Sequence, residues 1–75
     1  MSGSTAGPAL RALREHSGLT AREVAARAGV SESYLSRVEN GKVTAEPAWI
    51  GNVASAIAAA LVETAVAPQR MAVAS

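Results

Sequence analysis

Two short helix-forming segments meet at Gly29-Val30-Ser31, and this junction constrains the chain more than any other feature. Ahead of it, Thr20-Ala21-Arg22-Glu23 has the form of a capping box. Thr20 can accept from the Glu23 amide while Glu23 reaches back to the amide of Thr20. The helix so started carries Val24, Ala25 and Ala28, and it stops at Gly29, a residue that tolerates φ > 0. Behind the junction, Ser31 is a good N-cap, Leu35 and Val38 form an inner stripe, and Asn40-Gly41 is a stop. Two helices joined steeply by a tight turn need a small side chain where their backbones approach, and Ala25 stands there. Val24, Ala28, Val30, Leu35 and Val38 then face a shared core. Any one of these features is common in helical proteins. Together, at consistent spacing, they specify the pair.

The flanks read as further helices. Residues 1–7 are rich in Ser, Gly and Thr and predict a flexible tail. Pro8 suits a first helical turn, and Leu10, Leu13 and Ala9 or Ala12 give a stripe to about Ser17. Gly18 is placed to stop that helix, with His16 in its last turn. Residues 42–46 form a loop, and Pro47 opens a fourth helix with Trp49 or Ile50, Val53, Ala54, Ile57 and Leu61 inward. No Gly or Pro interrupts residues 52–67, so this helix can run to about Ala65, and Pro68 is expected to end it. The expected organisation is a tail over 1–7, a folded domain over 8–66 and a C-terminal tail over 67–75.

Composition agrees with an all-α chain. Ala supplies 18 of the 75 residues, and Trp49 and Tyr34 are the only aromatics, a mix that favours close helix packing over a sheet. A chain of this length makes one domain at most. It has no Cys, no Asp and one His, so thiolate or His/carboxylate metal sites and Ser-His-Asp chemistry lack their residues; neither enzyme activity, metal nor cofactor is expected. The longest apolar run, Val53 to Val62, is interrupted by Ser55 and falls below the ~20 residues of a membrane span. With no basic or apolar leader at the start, the expected location is cytoplasmic. Net charge is only +1, but its distribution is uneven. Residues 1–42 hold six of the seven bases and four of the six acids, whereas residues 43–75 are Ala/Val-rich and nearly neutral. The first half is suited to a polar partner and the second to protein.

The stretch Gly18-Leu19-Thr20, Val24-Ala25, Gly29-Val30-Ser31 and Val38-Glu39-Asn40-Gly41-Lys42 resembles the helix-turn-helix domains of phage Cro and repressor proteins and their bacterial relatives, the XRE type. The likeness covers about Leu10 to Ile57. It implies a bundle of four or five helices that binds double-stranded operator DNA, mostly as a two-fold homodimer, with no small-molecule ligand. Ala21 stands where the family often has Gln, and Ala58 where Gly often ends the fourth helix, which points to a longer C-terminal helix here. Arg14 and Glu39 match family positions that pair between the first and third helices.

The residues carry an independent reading of the same surface. Glu32, Ser33, Ser36, Arg37 and Asn40 recur on the outer face of the third helix, which is slim enough for a major groove about 12 Å wide. Arg37 is suited to guanine O6 and N7, and Glu32 to cytosine N4 or simply to the helix dipole. Ser33 and Ser36 are base contacts or merely small. Phosphate contacts are expected at Thr20, Ala21, Ser31, Asn40 and Lys42. Tyr34 either bonds a phosphate through its hydroxyl or packs at the domain edge. Leu61, Val62, Ala65 and Val66 lie beyond the stripe that the fourth helix needs for its own domain, and are expected to form the dimer interface. Two rival functions fit the same fold: an antitoxin or adaptor that binds protein, and a recombination directionality factor that bends DNA.

Overall fold

The computed structural model describes the backbone of residues 6–74 and the side chains of residues 6–64. It has four helices: α1 (Ala6–His16), α2 (Ala21–Ala28), α3 (Glu32–Glu39) and α4 (Pro47–Ala74). No strand occurs among the described residues. None of these helices is long and apolar enough to cross a membrane.

Local signals set the short helices. Thr20 closes the capping box at the start of α2: its hydroxyl accepts from the Glu23 amide at 3.0 Å, and its own amide donates to the Glu23 carboxylate at 2.9 Å. The Thr20 amide, and after it the Thr20 hydroxyl, which also donates to the Glu23 carboxylate at 3.2 Å, hold that carboxyl below its ordinary range. Ser31 caps α3 by accepting from the Tyr34 amide at 3.1 Å. Three helix ends share one stop. Gly18, Gly29 and Gly41 have φ of 74°, 70° and 74°. In each case the next residue's amide returns to a carbonyl five residues back: Leu19 to Arg14, Val30 to Ala25 and Lys42 to Arg37.

The core is built where these helices converge. Leu10, Val24, Ala25, Leu35, Val53 and Ile57 form one buried cluster, with Leu19, Ala21, Ala28, Val30, Trp49, Ile50 and Ala54 packed around it. α2 packs on α4 and α3, and α1 packs on α3 and α4. Asn52 of α4 donates to the Ala28 carbonyl at 2.9 Å, which satisfies an open acceptor at the end of α2.

Four boundaries or faces differ from the sequence reading. α1 begins at Ala6, not Pro8, because Gly7 is buried against α3. A Cβ at Gly7 would lie 1.9 Å from the Val38 carbonyl oxygen, so only glycine allows this approach. The inner face of α1 is therefore Gly7, Leu10 and Arg14, and Leu13 is 41% exposed. Ala60, not Leu61, completes the inner stripe of α4. Finally, α4 continues past Ala58, as expected, but also past Pro68, to Ala74. Proline removes one hydrogen bond, that to the Thr64 carbonyl, while Ala65, Ala67, Gln69, Arg70, Met71 and Ala72 around it are good helix formers. At ~1.5 Å per residue the helix is about 42 Å long.

Candidate nucleic-acid interface

The candidate interface is built on α3, which is fixed before it presents anything. Its inner side carries Leu35 and Val38, both buried, and Glu39, only 5% exposed. Arg14 of α1 meets Glu39 in a two-pronged ion pair, Nε to Oε2 at 2.8 Å and Nη2 to Oε1 at 2.9 Å. Its remaining arm, Nη1, donates to the Leu19 carbonyl at 2.9 Å, so one side chain ties α1, the α1–α2 turn and α3 together. The hydrogen bonds with Glu39 raise the Arg14 pKa above its ordinary value, against the opposing effect of burial. Tyr34 stacks edge-on against Trp49, ring centroids 5.2 Å apart at 80°, which braces α3 on the start of α4. The Tyr34 ring thus packs at the domain edge.

The opposite face of α3 is open. Glu32, Ser33, Ser36 and Arg37 are all exposed. Asn40 closes the helix: its Nδ2 donates to the Ser36 carbonyl at 2.8 Å. Lys42 follows it, exposed. Ser31 accepts from the Tyr34 amide and keeps its own proton to donate. At the start of α2, Ala21 is half-buried, and the Thr20 hydroxyl donates to Glu23 at 3.2 Å. Leu61 and Val62 are 43% and 61% exposed on α4, on the side away from buried Ala60. The side chains of Ala65 and Val66 lie outside the described residues.

Four contacts are not in the sequence reading. Arg11 of α1 donates to Asn40 Oδ1 at 3.1 Å and to Glu15 at 3.1 Å. Arg27 of α2 pairs with Glu63 of α4 at 2.8 Å. That bond holds the Glu63 carboxyl below its ordinary range and the Arg27 guanidinium above its own. Asn52 caps α2. Only the Arg11–Glu15 spacing of four residues is visible in the sequence; the other partners are 24 to 36 positions apart.

A helix held on its inner side by an ion pair and an apolar stripe, joined by a glycine-stopped turn to a capped helix and open on its outer side, defines a helix-turn-helix unit. The family model for the helix-turn-helix domain matches residues 6–67, and the chain belongs to this family of DNA-binding domains. The chain is 46% identical over 52 residues, 68% of its length, to the HTH-type transcriptional repressor RghR of Bacillus subtilis (strain 168). The match spans 38% of that relative's length. No solved structure matches the chain significantly.

Proposed function

We propose that the protein is a sequence-specific, double-stranded DNA-binding transcriptional regulator of the Cro/repressor type that acts by promoter occlusion. The observation that carries this reading is the open outer face of α3 on a helix whose inner face is fully occupied. In this reading α3 lies in the major groove. Arg37 reads guanine, with Glu32, Ser33 and Ser36 beside it, and phosphates are held by Ser31, Asn40, Lys42, the start of α2 at Thr20 and Ala21, and the Tyr34 hydroxyl.

Selection of bound duplexes from a random library tests it directly. Arg37→Ala should cost about 1–3 kcal/mol on the selected site and relax preference at one base pair. Lys42→Ala should weaken all sequences alike and lower the salt slope by about one. Unchanged sequence preference in Arg37→Ala would place the reading surface elsewhere. An intact protein with no salt-dependent duplex binding would favour the antitoxin or adaptor function. Bound complexes whose gel mobility depends on site position would favour the DNA-bending one.

The exposed Leu61 and Val62 support a second element of the reading, a homodimer formed through the far half of α4. Such pairing would set two recognition helices about one DNA turn, ~34 Å, apart. A chain shortened after Ala60 should sediment as a monomer and bind the full site more weakly. The same mass and affinity as the intact chain would exclude this interface.

A further inference from the structure

We propose that Arg11 of α1 is itself a DNA-backbone contact, completing with Asn40 and Lys42 a phosphate-binding corner where α1 meets the end of α3. This inference rests on the DNA-binding reading above. Arg11 uses Nε on Glu15 and one Nη1 hydrogen on Asn40 Oδ1. Of the five N–H donors of a guanidinium, the rest have no acceptor among the described residues. Arg11 and Glu15 are 48% and 53% exposed, so their pair is a weak, exchangeable one and leaves the guanidinium free to take a phosphate in a two-pronged bond.

The contact with Asn40 also fixes which way that amide points. Oδ1 is taken by Arg11, while Nδ2 donates to the Ser36 carbonyl at 2.8 Å and to Ser36 Oγ at a long 3.4 Å, so the second, weakly held N–H is the group that a phosphate oxygen can take over. Donors from Arg11 and Asn40 therefore lie together, with exposed Lys42 two residues further along the chain and the Glu15 carboxylate in competition. The start of α2 is arranged the other way. Both the amide and the hydroxyl of Thr20 donate to Glu23, so a phosphate approaching that helix end meets a carboxylate already seated there. The start of α2 then holds a phosphate through the amides that follow Thr20, and the corner formed by Arg11 adds a second, cationic anchor.

The full chain and a short mixed-sequence duplex, titrated by fluorescence anisotropy over a salt series, test the proposal. Arg11→Ala is expected to weaken binding several-fold and to lower the slope of log K against log salt by about one, as Lys42→Ala does. Arg11→Lys should retain the slope, and Glu15→Gln should bind more tightly. The deciding variant is Arg11→Ala with Glu15→Gln, which has the net charge of the intact chain. Its slope should stay lowered by about one. If this double variant binds with the intact slope and affinity while Lys42→Ala does not, Arg11 is only a strut for Asn40 and the proposal fails. If the intact chain and Lys42→Ala alike show no salt-dependent binding, the DNA-binding reading fails and the proposal with it. Thermal unfolding of each variant, unchanged from the intact protein, separates these effects from loss of fold.

Discussion

Glu39→Ala is expected to lower stability by about 3–5 kcal/mol, because it leaves a mostly buried guanidinium without its anion. Arg14 and Glu39 side chains are 12% and 4% exposed, so water cannot replace the lost carboxylate. Only the Leu19 carbonyl would remain to Arg14. A domain of this size has about 0.05–0.15 kcal/mol of stability per residue, so the loss is comparable with the whole margin. Exchange of both partners for apolar residues of similar volume should recover much of it, since the charge burial cost is then removed as well. Urea denaturation of the single and double variants measures both. A Glu39→Ala midpoint close to that of the intact protein would mean that the pair is solvated in solution.

Leu35→Ala is expected to cost about 2–5 kcal/mol through the cavity it opens under α3. Leu35 is 0% exposed and lies in the cluster with Leu10, Val24, Val53 and Ile57. For domains of this size each kcal/mol shifts the melting temperature by about 4–8 °C. Leu13→Ala, on the exposed side of α1, should cost under ~1 kcal/mol. Calorimetry of the two variants gives the contrast, and equal losses would mean that α1 is rotated relative to the face described above. Well below its melting temperature Leu35→Ala should keep the sequence preference of the intact chain, because the outward residues are untouched.

The contrast between Leu13 and Leu35 also shows what a sequence of this kind discloses. The turn and caps were legible because they depend on residues adjacent in the chain: Thr20 with Glu23, Ser31 with the amide of Tyr34, and Gly29 with its left-handed backbone. The all-α class and the family were legible for the same reason. The face of α1 was not. Apolar periodicity finds Leu10 and Leu13, but the inward positions are a glycine that admits the Val38 carbonyl and an arginine that reaches Glu39. Neither registers as a core residue in a hydrophobic pattern. Pro68 misled for a related reason: the rule that proline ends helices describes one lost bond, and most of the surrounding residues favour the helix. At the candidate interface, Glu32, Ser33, Ser36 and Arg37 were legible as an outward face, whereas the contact between Arg11 and Asn40 spans 29 positions and has no local signature.

The close seat of Gly7 on Val38 also determines where the polypeptide leaves the domain. Ala6, where the described backbone starts, sits beside the carboxyl end of α3. If α3 enters the groove as proposed, an affinity tag or fluorophore placed close to Ala6 would add its own charge and bulk to every titration. The far end of α4, some 42 Å along the helix from Pro47, falls on the segment proposed to join two copies. The two ends of this chain are therefore not equivalent handles: a reporter of DNA contact belongs at the first, and a reporter of self-association at the second.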